Sequence, residues 1–303
     1  MNAVELIAQV RSGVVQVSVE RDRQRIGSGS GFLVEHGLVT NSHNIRGRDI
    51  DAIAIRFADT DPEDPESYIR LLPGDCVVAE SLEGERDYVY LSLLDSEIEG
   101  KNIFEFTDSS NPLSVGEQVV FLGFPFGMPQ LTSHVGYVSS IHERNGVEII
   151  QIDGSVNGGN SGGPLLDLKT GKVAGIVTRA ITGLIEEQFN RLIEALRQNQ
   201  EALRGGQSII GIGGIDPIQA LCASQTAMEQ IAHSLRRSAN VGIGYAYSSK
   251  YVRDHLARVR SSSSAFFNLI LIQRIGISFF AALATGTISP RLSHPTVVCK
   301  RKS

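Results

Sequence analysis

Gly158-Gly159-Asn160-Ser161-Gly162-Gly163-Pro164 is the stretch on which the reading of this chain turns. A serine hydroxyl is a poor nucleophile until a base takes its proton, and its attack on a carbonyl leaves an oxyanion that needs N–H donors. Glycines ahead of the serine let the backbone turn its N–H groups outward with no Cβ in the way. The string therefore reads as a nucleophile, Ser161, with the N–H groups of Gly159 and Ser161 as an oxyanion hole. The bland alternative is a glycine-rich hairpin turn with an incidental serine.

A base has to come from elsewhere in the chain, because such constellations are defined by geometry and not by local sequence. His43 ends Leu38-Val39-Thr40-Asn41-Ser42-His43, directly after an apolar strand that follows the His36-Gly37 turn. Alone it would be a strand-end surface histidine; beside the serine string it is the candidate base. Asp87 opens Asp87-Tyr88-Val89-Tyr90-Leu91, an acid just ahead of a buried-looking strand, and is the candidate orienter of the imidazole. Asp49, Asp51 and Asp95 are rivals that sit among other polar residues and open no such run.

Outward from these residues, short β-branched runs recur between turn residues: Val14–Val19, Gly31–Val34, Leu38–Thr40, Ala52–Phe57 and Tyr88–Leu94. A second block follows with Gln118–Gly123, Gly136–Ile141, Val147–Ile152, Pro164–Asp167 and Lys172–Thr178. Such spacing predicts an antiparallel sandwich or barrel in each block. Asn145-Gly146 is a two-residue hairpin turn, since both positions need positive φ. The expected fold is mainly β, two six-stranded antiparallel β-barrels with an inserted helical hairpin. The first barrel falls within 1–110, and the second within 111–181 and 239–259.

Between them, Ile185, Phe189, Leu192, Leu196 and Leu203 fall on one helical seam. Asp216-Pro217 reads as an N-cap and first helical position, with Leu221, Met228, Ile231 and Leu235 on one face behind it. The segment 182–238 is thus expected to be an antiparallel hairpin, packed on itself, lying over a cleft, or pairing with a second copy of the chain. The remainder, 260–303, is apolar and basic. Its run Ala265–Gly286 is long enough to span a bilayer. Arg274 at its middle costs roughly 2.5–3.5 kcal/mol on insertion scales, so docking or disorder is expected ahead of a span.

The composition excludes several classes. A formal charge of −5, with no basic stripe interleaved with aromatics, argues against nucleic acid as a partner. No His-Glu-x-x-His string occurs, and the glycines at 27, 29 and 31 lie between strands, so neither a metal nor a nucleotide cofactor is expected. The run Gly162-Gly163-Pro164-Leu165-Leu166 leads into a hairpin, where a nucleophile elbow would need a helix. Three cysteines far apart, Cys76, Cys222 and Cys299, make no disulfide framework, and the start carries Glu5 and no basic region before an apolar run. The expectation is a cytoplasmic protein.

Five motifs in one order resemble the HtrA (Deg) branch of the trypsin-like serine proteases: Ser28-Gly29-Ser30-Gly31-Phe32-Leu33-Val34, Thr40-Asn41-Ser42-His43, Asp87-Tyr88-Val89-Tyr90-Leu91, Gly123-Phe124-Pro125-Phe126-Gly127 and Gly159-Asn160-Ser161-Gly162-Gly163-Pro164. The likeness covers roughly 10–180 and 240–258. It implies an endopeptidase acting on proteins or peptides through His43, Asp87 and Ser161. It places Ser155 at the floor of the pocket for the residue before the cleaved bond, with Thr178, Arg179 and Ala180 along its wall. No carboxylate stands at that floor, so a small or medium apolar side chain is expected there. Asn160 in place of an acid implies no activation by cleavage. Three features depart from the family: no segment after Val259 has the size of a PDZ domain, the hairpin is extra, and Ser42 and Asn44 replace smaller or apolar neighbours of the histidine. A catalytically silent binding protein on the same fold is the rival reading.

Overall fold

The computed structural model describes residues 2–46, 49–82, 85–178, 183–204, 216–238 and 242–262. Residues 1–256 form one unit; of the second, 257–303, only the last turns of a helix are described. After a helix α1 (Ala3–Val10), capped by Asn2 in a reciprocal box with Glu5, the chain enters its first sheet. Its strands are β1 (Val14–Arg21), β2 (Gln24–Val34), β3 (Gly37–Thr40), β4 (Ala52–Phe57), β5 (Tyr68–Leu71), β6 (Val77–Ser81) and β7 (Tyr88–Ser92). They lie in the order β5-β4-β1-β2-β3-β7-β6, antiparallel throughout. Single-turn helices α2 (Pro73–Cys76) and α3 (Asp95–Ile98) flank β6 and β7.

This half therefore has seven strands where six were expected, and among the described residues its edges β5 and β6 do not pair with each other. Both edge strands were missed in the sequence. They are short and interrupted by Arg70 and Glu80, which is how sheets protect an edge and also what hides it from a pattern search. Val15, Val17 and Val19 of β1 pack with Leu33, Leu38, Ile53, Ile55, Val89 and Leu91 into one core.

The second half is a closed barrel of β8 (Gln118–Gly123), β9 (Thr132–Arg144), β10 (Val147–Asp153), β11 (Pro164–Asp167), β12 (Val173–Thr178) and β13 (Ile243–Ser248), as expected. Asn145 and Gly146 take φ of 54° and 76° at the β9–β10 turn, the conformation a tight hairpin demands. Val119, Phe121, Val138, Ile150, Ile152, Leu165 and Val177 fill the barrel.

Helices α4 (Gly183–Arg204) and α5 (Pro217–Ser238) form the inserted hairpin, and α6 (Lys250–Ser262) follows the barrel. The hairpin packs on a face that shares Leu196 with the expected seam but not its other half. Ile193, Leu196, Gln200 and Ala232 are buried, and Arg197 pairs with Glu229. Leu221, Met228 and Ile231, expected to fill the seam, are about half exposed, as is Leu192. Among the described residues no helix is long and apolar enough to cross a membrane. The run 265–286 lies outside the described residues.

Candidate active site

His43 sits on a single 3₁₀ turn, Ser42–Asn44, just past β3, and Asp87 lies immediately ahead of β7, the strand paired with β3. Adjacent strands thus bring them together. His43 Nδ1 lies 2.7 Å from Asp87 Oδ2, and the His43 backbone N–H donates to Oδ1 at 3.0 Å. A carboxylate only accepts, so a proton sits on Nδ1, and in the neutral imidazole the lone pair falls on Nε2. Both side chains are withdrawn from water, 9% and 3% exposed, which strengthens the pair electrostatically. Asp87 holds φ of 46°, unusual for a residue with a Cβ, and its carbonyl accepts from Asn41 Nδ2 at 2.6 Å.

Ser161 comes from the loop between β10 and β11. Its carbonyl accepts from the Ser30 N–H at 2.8 Å and from Asn44 Nδ2 at 2.9 Å, so the residue after the histidine ties the serine loop to the histidine turn. Asn44, a departure from the family's usual neighbours of the histidine, is buried and also donates to Thr40 Oγ1 at 2.9 Å. Among the described residues Ser161 Oγ has no hydrogen-bond partner, so the hydroxyl is not yet joined to His43 Nε2. Such bonds are often long in an unliganded site and tighten with substrate.

The loop ahead of Ser161 shows why glycine is needed. Gly159 holds φ of +101°, and a Cβ there would collide with the Phe124 carbonyl. The Gly158 carbonyl accepts from the Phe126 N–H at 2.6 Å. Because a trans peptide points its C=O and N–H in opposite directions, this bond turns the Gly159 N–H the other way. In the same manner the Asn160 carbonyl accepts from the Gly163 N–H at 3.0 Å, which turns the Ser161 N–H away. Among the described residues neither N–H donates to another group. Two unpaired donors beside a serine are what a developing oxyanion requires. The Asn160 amide is fully buried beneath them with no partner among the described residues. A buried, unsatisfied amide costs about 1–3 kcal/mol, so this loop must be held by ties from outside itself.

Of the pocket residues, Ser155 is half-buried on the loop after β10. Thr178 is buried and directs its hydroxyl toward Asp87 Oδ2 at 3.5 Å, a longer-range contact with the acid that the sequence reading did not anticipate. Arg179 and Ala180 lie outside the described residues.

The fold and this geometry define a trypsin-like peptidase domain. The family model described as a trypsin-like peptidase domain matches residues 29–176, just under half of the chain, and that segment is similar to the family. The chain is homologous to proteins called probable periplasmic serine endoprotease DegP-like: 34% identical over 161 residues to one from Hahella chejuensis, and 35% over 165 residues to one from a Marinomonas species. These alignments cover 51% and 52% of this chain, but the chain spans only 30% and 31% of those relatives' length. Among solved structures, the serine endoprotease from Yersinia pestis aligns over 60% of this chain and 58% of its own, at 21% identity and a TM-score of 0.49.

These relatives overturn the expectation of a cytoplasmic protein, since they are called periplasmic. The expectation rests on cysteine usage and on the character of residues 1–11. Among the described residues Cys76 and Cys222 form no disulfide, but a chain that buries two large cores needs no disulfide in any compartment.

Proposed function

We propose that the chain is a serine endopeptidase working outside the cytoplasm on protein or peptide substrates, with His43 as general base, Asp87 as its orienter and Ser161 as nucleophile. The observation that supports this best is the doubly bonded Asp87–His43 pair, which places the lone pair of the neutral imidazole on Nε2. His43 Nε2 takes the Ser161 proton as Oγ attacks the carbonyl carbon, and the oxyanion is held by the Gly159 and Ser161 N–H groups. The imidazolium then gives that proton to the leaving amine, releasing one product and leaving an ester on Ser161. Water, deprotonated by the same histidine, hydrolyses the ester and restores the hydroxyl.

Ser155 at the pocket floor, with no carboxylate, favours a small or medium apolar side chain before the cleaved bond; Thr178, Arg179 and Ala180 complete the wall in this reading. The exposed row Leu192, Leu221, Met228 and Ile231 supports a role for the hairpin in pairing with a second copy. Steady-state peptidase assays test the triad. Asp87→Asn should lower kcat about 10⁴-fold, and combining it with Ser161→Ala should cost no more than Ser161→Ala alone. Independent, multiplying losses would contradict three residues acting as one unit.

A further inference from the structure

Gln16 of β1 stands opposite Ser30 of β2 on one side and Arg56 of β4 on the other, so the three form a row across the first sheet. Alternation puts Val15, Val17 and Ile55 into that sheet's own core, and the row on the opposite face, where water is the ordinary neighbour. Yet Ser30, Gln16 and Arg56 are all at most 1% exposed. What covers them is the segment after β8 in the second half. Ser30 Oγ accepts from the Phe124 N–H at 2.9 Å and donates to the Gly159 carbonyl at 2.7 Å. Gln16 Nε2 donates to the carbonyls of Gly127 and Met128 at 3.2 and 3.0 Å. Arg56 donates to the Pro129 carbonyl, and its guanidinium lies 5.6 Å from the centre of the Phe124 ring.

Arg56 is an expensive residue to keep there. It is fully buried, its other acceptors are the carbonyls of Phe57 and Thr60, and its Nε–H has no partner among the described residues. Among the described residues it has no carboxylate partner. Burying a charge without a counter-charge destabilises, and such local violations mark functional positions. Burial and the charge on Arg56 also push the nearby Arg25 guanidinium below its ordinary value, although Tyr68 acts the other way. The segment so gripped is strained, with Phe126 at φ of 56°, and it is Phe126 whose N–H holds the Gly158 carbonyl.

We propose that the row Ser30–Gln16–Arg56 is the platform that positions the oxyanion hole, with Gln16 and Arg56 as positioning residues acting through the segment 124–129 on the Gly158–Gly159 peptide. This rests on the reading of Gly159 and Ser161 as the oxyanion donors. Releasing the segment lets the Gly158 carbonyl leave the Phe126 N–H, and the Gly159 N–H then no longer faces the cleft. The base and the acid lie outside this chain of contacts.

The test is the rate at which a fluorophosphonate phosphonylates Ser161 in wild type, Gln16→Met and Arg56→Ala, resolved into a binding constant and a maximal rate across pH. The expected result is a maximal rate lowered about tenfold or more in each variant, with probe affinity and the midpoint of the pH profile at their wild-type values. Arg56 lines a pocket of about 330 Å³ with Arg11, Ile7, Pro129 and Leu131, the route by which a guanidinium in solution would reach the space that Arg56→Ala opens. Methylguanidinium should therefore restore rate to Arg56→Ala and not to Gln16→Met. Wild-type maximal rates in the variants, or losses shared between affinity, rate and pH midpoint, overturn the proposal. If Arg56→Ala does not fold, Gln16→Met decides by the same criteria. A folded wild type that takes no label at Ser161 overturns the reading of the site and this inference with it, whereas a labelled wild type with unaltered variants overturns the inference alone.

Discussion

His134 shows how burial sets the chemistry of a single side chain. It lies on β9 opposite Phe121, stacks on that ring at 4.6 Å with the planes 12° apart, and buries an Nε2 with no partner among the described residues. Burial holds its pKa below the ordinary histidine value, because the charged form loses its hydration. The unfolded chain therefore binds more protons than the native one as pH falls below about 6.5, and stability rises with pH through that window. Thermal midpoints should fall on acidification below that value, and fall less in His134→Phe; equal acid sensitivity in both would contradict a neutral, buried imidazole. Single residues were unevenly legible in the sequence. His43 and Asp87 stand out because each borders an apolar strand, and Ser161 because glycines surround it. Gln16 and Arg56 look like outward-facing polar positions on half-buried strands, and only the other half of the molecule, more than a hundred residues away from Gln16 in sequence, reveals what they hold. Asn44 was visible as a departure, but its purpose depends on the Ser161 carbonyl, a contact no local pattern encodes.

At the scale of elements, the barrel strands were readable because β-branched residues and tight turns such as Asn145-Gly146 specify them locally. Where packing partners decide, reading was weaker. On α5 the apolar row Leu221, Met228 and Ile231 marks a helix correctly but not its buried face, because the small Ala232 lets α4 approach from another side. Small residues allow close helix contact, so an apolar stripe can stay outside. A hairpin with a buried seam and a second, exposed apolar row suits an assembly arm. Replacing 183–238 by a short Gly/Ser linker should therefore lower the native mass measured by light scattering, with small-peptide cleavage within about a factor of two of wild type if the arm has no part in the chemistry. Unchanged mass would contradict the assembly role, and faster cleavage of folded proteins would assign the arm to covering the cleft.

Across the whole molecule, the candidate site exists only where the two halves meet. The first sheet supplies His43 and Asp87, and the second barrel supplies Ser161 and its N–H groups. Asn44, Ser30 and the segment 124–129 hold one half against the other. The compartment was not legible, because it depends on how the chain is routed in the cell and leaves no mark on a core that folds without disulfides. The central proposal is that this seam makes Ser161, and no other serine, a nucleophile. The direct test is incubation of the purified protein with a fluorophosphonate, followed by mass spectrometry of the intact chain and its peptides. One adduct per chain is expected, located on Ser161, and lost in Ser161→Ala and after denaturation. Undiminished labelling of folded Ser161→Ala, or no labelling of folded wild type, would contradict the account.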